Sequence, residues 1–320
     1  MLSSFLPSKK TAVAGSNNNR DGVHVLYSKP RLTEVPTKIG LVAGEGNFPI
    51  VLAQAAQSEG VEIHTFGVAG LAHESLRHYS KHFHLLRLTE LSRLIELCHE
   101  YGLRHVIMAG RVPHSVVLKQ VSFDRRVIKI LGGLSNKKAD SLLKAAVEEL
   151  GKEGIEALDS TMFLKSCMPE PGLLTPRVPP TEELLRDINF GRPIAKEIGR
   201  LDIGQTIVVK NQVVVGVEAL EGTDGLIKRA MPLAGEGTVF VKVSKPRQDM
   251  RFDVPVIGLT TIRNLASARA AALCITANES LFFDRHESIE LAEQNRICII
   301  SWSDGLPLTM DSLQTAAVAR

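Results

Sequence analysis

Cysteine is scarce in this chain: Cys98, Cys167, Cys274 and Cys298 stand far apart, with no C-x-x-C pair among them. That spacing excludes a zinc ribbon and argues against a disulfide framework, so a reducing cytoplasm is the expected compartment. Long apolar runs are missing as well; none approaches the roughly 18 residues that a membrane-spanning helix needs. Aromatic residues are only 5% of the chain. Positive charge is concentrated at one end, where Lys9, Lys10, Arg20, Lys29, Arg31 and Lys38 face only Asp21 and Glu34; this more than accounts for the net +3 of all 320 residues. The remainder is near neutral, and with so few rings for stacking it lacks the footprint of a nucleic-acid binder.

Residues 1–36 read as a disordered leader, because "AGSNNNRDG" is polar and turn-forming without hydrophobic period. "MLSSFL" is too short for the apolar region of a secretory signal. The basic leader is either a solvated extension or a segment that approaches an anionic membrane surface.

From residue 37 the pattern alternates strand and helix. "KIGLVA", "VEIHTFGV", "RHVIMAG" and "IEALDS" read as strands, with helices at "PIVLAQAAQSEG", "LTELSRLIELCHEYG" and "KADSLLKAAVEELGKEG". The expected fold is α/β, with a Rossmann-like parallel-sheet N-terminal domain over 37–168. Five prolines between Pro169 and Pro180 mark 169–180 as a linker. A mixed α+β domain is expected over 181–305, starting with a hairpin around Lys210-Asn211. Residues 306–320 read as a frayed tail.

Three segments carry candidate chemistry. In "GLVAGEGNFP", Gly44 and Gly46 allow a tight turn whose N–H groups meet an anion at a helix N-terminus, with Asn47 placed as cap and Pro49 in the first turn. A glycine turn serving packing alone reads the same way. Neither G-x-G-x-x-G nor a Walker lysine is present, and the second strand ends without an acidic residue, which disfavours a Rossmann-type oxidoreductase. In "VEALEGTDGLIKRA", Glu221, Thr223 and Asp224 at a strand-to-helix turn suit either a cation site or a plain helix start. In "VKVSKPRQDMRFDVPVIG", Lys242, Lys245, Arg247 and Arg251 alternate with Asp249 and Asp253. That mixture is what phosphoryl chemistry requires, and is also what a salt-bridged loop looks like. His73, His78, His82 and His84 read as surface histidines rather than zinc ligands. "FDRH" lacks the partner motifs of calcineurin-type metallophosphoesterases.

Taken together, "GLVAGEGNFP", "VIMAGRVPHS", "VEALEGTDGLIKRA" and "KPRQDMRFDVPVIG" resemble the LpxI-type UDP-2,3-diacylglucosamine pyrophosphatase family, over about residues 38–301. Glu45 stands where that family usually has a smaller residue. The resemblance implies an active site between two domains, dependence on Mg²⁺, and a homodimer working at the inner face of the cytoplasmic membrane in Gram-negative lipid A synthesis. It implies hydrolysis to UMP and 2,3-diacylglucosamine 1-phosphate. Asp224, Asp249 and Asp253 are then expected to hold Mg²⁺ or orient water. Lys242, Lys245, Arg111 and Arg251 would neutralise the pyrophosphate, and Gly44, Gly46, Asn47, Glu221 and Thr223 would contact substrate. The apolar C-terminal strands are the expected shelter for acyl chains. The competing expectation is a non-catalytic nucleotide-sugar or lipid-binding protein.

Overall fold

"KIGLVA" forms the first strand, β1 (Lys38–Ala43), an apolar run that must be covered on both faces. Its cover comes from α1 (Phe48–Ser58), which buries Leu52, Ala53 and Ala56 against Ile39, Leu41 and the neighbouring Ile63 and Ile107. Further along lie β2 (Glu62–Val68), β3 (His82–Leu86), α2 (Leu91–Glu100) and β4 (His105–Ala109). They are followed by α3 (Arg125–Gly133), α4 (Ala139–Lys152) and the short β5 (Glu156–Ala157). The five strands are all parallel, in the order β3-β2-β1-β4-β5. Opposite α1, residues of α2 and α4 such as Leu94, Leu97 and Leu150 pack with Phe66 and Val106. This is the expected Rossmann-like sheet. The computed structural model describes residues 35–113, 124–133, 139–246, 248–303, 305 and 307–318; residues 1–34 of the expected leader, His114, Ser115 and Arg247 lie outside them.

The second half is built from β6 (Gly172–Leu173), α5 (Glu182–Arg200), β7 (Thr206–Lys210), β8 (Val213–Val217), α6 (Gly222–Ala234) and β9 (Val239–Lys242). After these come β10 (Val256–Ile257), α7 (Leu259–Ser267), β11 (Ala272–Thr276), β12 (Leu281–Phe282), α8 (Arg285–Gln294), β13 (Cys298–Trp302) and α9 (Met310–Val318). Six strands make a mixed sheet, β6-β13-β11-β9-β7-β8, and β10 pairs with β12 separately. The residues of β9, β11 and β13 are all buried. Alternate side chains explain why: Phe240, Leu273 and Ile299 face α6, α7 and α8, while Val241, Cys274 and Ile300 face α5.

Two expectations are corrected here. Segment 169–180 is part of the fold: β6 pairs antiparallel with β13, and Thr175 Oγ1 accepts the Ile299 N–H at 2.8 Å. The prolines at 169, 171, 176, 179 and 180 all lie outside the two-residue β6, so none of them interrupts its pairing. The tail contains α9, held because Leu308 and Leu313 are buried with α5 and Asn189 donates to the Leu308 carbonyl at 2.7 Å.

The halves also share a core. Leu281 and Phe283 are buried in the cluster of α1 and β1, with Phe48 and Phe283 rings 5.8 Å apart. Ser160 donates twice to the Met250 carbonyl, at 2.9 and 2.7 Å.

His73 and His78 are exposed, but His82 and His84 are half-buried in a stack with His64 and Tyr101. Burial is the main cause that pushes His64 and His84 below the ordinary histidine value, against the pull of Glu62 on His64. The unfolded chain gains protons near about pH 6.5 that the folded chain refuses, so this contribution is present at higher pH and lost on acidification. Glu62, lowered from 4.5 to about 2 first by its Lys81 hydrogen bond, contributes throughout the range above its ordinary value and loses that contribution only on further acidification. We expect the melting temperature to drop between about pH 7.5 and about pH 5.5, and to drop less in His64→Phe, as read by circular dichroism.

Candidate functional site between the two halves

Strand order reverses at the β1/β4 boundary, and the loops leaving the C-terminal ends of these strands bound the crevice where parallel α/β sheets bind ligands. Here the loops are fastened to each other. Glu45 N–H donates to the Arg111 carbonyl at 2.9 Å and Arg111 N–H to the Glu45 carbonyl at 3.0 Å. A Cβ on Gly44 would lie 2.6 Å from the Arg111 oxygen, and one on Gly110 (φ +91) 2.8 Å from the Glu45 oxygen. Both glycines are therefore required by the close approach. Glu45 has its own place, with Oε1 3.9 Å from Arg111 Nε.

This fastening revises the expected phosphate cradle. Gly44 and Glu45 have already given their N–H groups to Ala109 and Arg111. The groups left without a partner among the described residues are the N–H of Gly46, Asn47 and Phe48, at the start of α1. Asn47 occupies the cap position but makes no side-chain cap bond, and no acidic residue lies in the first turn. That end of α1 keeps its partial positive charge.

A cavity of about 820 Å³ opens beside these loops, lined by both halves. Gly44, Gly46, Asn47, Arg111, Glu221, Thr223, Asp224, Lys242 and Asp253 all line it; Asp249, Lys245 and Arg251 do not. Arg111 bridges the halves, its guanidinium lying 3.8 Å from where a Cβ of Gly222 would be. Lys242, at the end of β9, is only 4% exposed and donates to Thr223 Oγ1 at 2.7 Å. Thr223 in turn donates to Glu218 Oε1 at 2.9 Å. Asp224 Oδ1 accepts from Asn264 at 2.7 Å, and Glu221 is bound to Arg229 at 2.6 Å, which holds its carboxyl below the usual range.

The prolines do not make the 243–255 segment fully extended. A single helical turn forms at 249–253, with Asp253 N–H donating to the Asp249 carbonyl at 2.9 Å. The two aspartates nonetheless point to different partners. Asp249 takes a two-bonded contact from Arg251, at 2.8 and 2.7 Å. Burial raises the Asp249 carboxyl, yet the Arg251 bonds outweigh it and hold it below its ordinary value. Asp253 pairs with Lys245 at 3.0 Å, and Lys245 also reaches Asp202 at 3.0 Å. Among the described residues no three His, Cys, Asp or Glu side chains converge as a closed metal cage. Mg²⁺ does not demand one, since it is commonly held by one or two carboxylates together with phosphate oxygens.

Among the lining residues Gln205 carries no sequence signal, while Glu218 (6% exposed) and Asp284 stand inside "VEALEGTDGLIKRA" and "FDRH" with no role read for them from the sequence. The apolar lining is shared: Val256 and Ile257 of β10, from the half expected to shelter acyl chains, line the cavity together with Leu91, Leu94, Val127, Ile130, Leu131 and Leu143 from α2, α3 and α4. Helix α3 buries none of its residues fully and lends the cavity its apolar face. No cysteine is among the lining residues, and burial raises the Cys98 and Cys298 thiols to about 12.

Residues 38–167 match the family model described as the LpxI N-terminal domain, and residues 170–300 match the LpxI C-terminal domain. The UDP-2,3-diacylglucosamine pyrophosphatase LpxI of Caulobacter vibrioides is 32% identical over 267 residues, covering 80% of this chain and 94% of that protein. Among solved structures, a GalE-like L-threonine dehydrogenase from Cupriavidus necator is 12% identical, with a TM-score of 0.31 over 87% of this chain and 93% of that one. The biotin carboxylase domain of the Hydrogenobacter thermophilus 2-oxoglutarate carboxylase is 13% identical, with a TM-score of 0.23 over 62% of this chain and 41% of that one. Neither structural likeness carries weight at those scores.

Gly110→Ala places a methyl group against the Glu45 carbonyl at positive φ. We expect a loss of roughly 2–4 kcal/mol in urea unfolding, against a change below about 1 kcal/mol for Gly151→Ala, where the added carbon meets open space.

Proposed function

The chain belongs to the LpxI family, and on that premise we propose that it hydrolyses the pyrophosphate bond of UDP-2,3-diacylglucosamine, giving UMP and 2,3-diacylglucosamine 1-phosphate for lipid A synthesis. The observation that carries this reading is the composition of the cavity lined by both halves. Its wall combines an uncapped helix start with a buried lysine and an arginine, next to an apolar face of three helices. A ligand that is a diphosphate at one point and diacylated at another needs that combination.

The roles follow from the chemistry. The free N–H groups at Asn47 and Phe48 and the cations of Arg111 and Lys242 offset pyrophosphate charge and the charge that builds on the departing phosphoryl group. Water adds to one phosphorus, the bridging oxygen leaves with the other, and the water proton must pass to a base. Asp253 and Asp224 are the acids assigned to orient that water. Asp249 acts through Arg251, whose guanidinium it fixes, and Lys245 acts through Asp253. Gly44 sets the loop, Gly46 opens its N–H, and Glu221 and Thr223 shape the wall around Lys242. Mg²⁺ fits as a partial shell: Asp224, with only one oxygen taken by Asn264, and Asp253 would hold it with the diphosphate, where it supplies charge neutralisation. The apolar wall takes the acyl chains. Cytoplasmic residence, contact with the inner membrane surface and a homodimer belong to the same reading.

The test is a product assay by mass spectrometry, with Mg²⁺ or with EDTA. We expect UMP and the lipid phosphate together, only with metal, and loss of turnover by at least about a hundredfold in Asp253→Ala and Asp249→Ala with substrate still bound. Binding without turnover in the wild type would favour the non-catalytic alternative. Near-normal rates in both variants would remove the 249–253 loop from the chemistry.

A further inference from the structure

One polar atom at the cavity has no account in the fold. Gln205 Oε1 is shut off from solvent and accepts no hydrogen bond from any described residue, although its residue lines the cavity. A buried acceptor left without a donor is a standing cost unless something else supplies the donor.

The position of Gln205 is fixed from both sides by its backbone. Its N–H donates to Glu218 Oε2 at 3.3 Å, and its carbonyl accepts from Val243 N–H at 2.9 Å. The preceding residue, Gly204, lies so close to the Glu218 carbonyl that any Cβ there would collide with it. The amide is thus carried on a locked strand start, at the end of the second sheet where β7, β8 and β9 meet the cavity. Its companion there is the Glu218 carboxylate, so this part of the wall is rich in acceptors. Such a wall repels phosphate oxygens and attracts hydroxyl groups. Lys242, a short step away through Thr223 and Glu218, is the local cation.

We propose that Gln205 is a specificity-determining residue whose amide oxygen accepts a hydrogen bond from a free hydroxyl of the acylated sugar, next to the phosphate that Lys242 neutralises. This assignment rests on the proposed function. The nucleotide belongs at the β1/β4 crevice of the first half, which leaves the acceptors of the second half to the other moiety.

The two products, titrated separately by calorimetry, divide the question. Gln205→Leu is expected to bind 2,3-diacylglucosamine 1-phosphate about tenfold or more weaker than the wild type, while UMP affinity stays within about twofold. Retained UMP binding also shows that the variant folds. On the ligand side, 4-deoxy and 6-deoxy forms of the lipid phosphate complete the cycle. One of them should bind about tenfold weaker to the wild type, with no further loss in Gln205→Leu. Unchanged lipid phosphate affinity in the variant, or a loss of UMP affinity as large as the loss for the lipid, would overturn the proposal. So would a wild type that is indifferent to both deoxy forms. A wild-type protein that binds neither product would instead overturn the proposed function, and this assignment with it.

Discussion

Two chain segments leaving β1 and β4 come within backbone hydrogen-bonding distance because neither Gly44 nor Gly110 carries a Cβ. Much of the site depends on that approach. It removes the N–H groups of Gly44 and Glu45 from ligand duty and leaves those at the start of α1 exposed to the cavity. It sets Arg111 at the edge of the crevice, where its guanidinium reaches the first turn of α6. The charged Glu45 is accommodated because its backbone is in the bridge and its carboxylate lies beside Arg111.

The second constraint is the shared core. Phe283 and Leu281 from the second half complete the packing around α1, and the 249–253 turn is tied to Ser160 of the first. Polar groups from β8, β9 and α6 are thereby held opposite the helix start of α1. Apolar lining comes from both halves: Leu91, Leu94 and Ile130 from the first, and Val254, Val256 and Ile257 from the second. A ligand with charge and acyl chains must therefore be read by both halves.

The strand–helix alternation of residues 37–168 was legible because its apolar runs are short, regular and stopped by Gly60, Gly102 and Gly154. The four glycine- and charge-bearing motifs led to most of the polar lining, from Gly44 to Asp253. What escaped did so for physical reasons. Helix α3 shows only Val127, Ile130 and Leu131 as its apolar face, a pattern too short to stand out. In β3 the alternating positions are histidines, which pack as rings but read as polar. The prolines around β6 signalled a break although the strand fits between Pro171 and Pro176. Gln205 and Glu218 are single residues whose meaning is burial, and burial belongs to the tertiary structure. Asp249 and Asp253 were joined by spacing, but Arg251 and Lys245 draw them apart.

The central claim is that one cavity receives nucleotide, pyrophosphate and acyl chains in sequence. A crystal structure of Asp253→Ala soaked with UDP-2,3-diacylglucosamine and Mg²⁺ tests it most directly. The account predicts the pyrophosphate between the start of α1 and Lys242, with at least one acyl chain along α2, α3 and α4. Density for the diphosphate away from Lys242 and the α1 start, or acyl chains against the second half only, would contradict it.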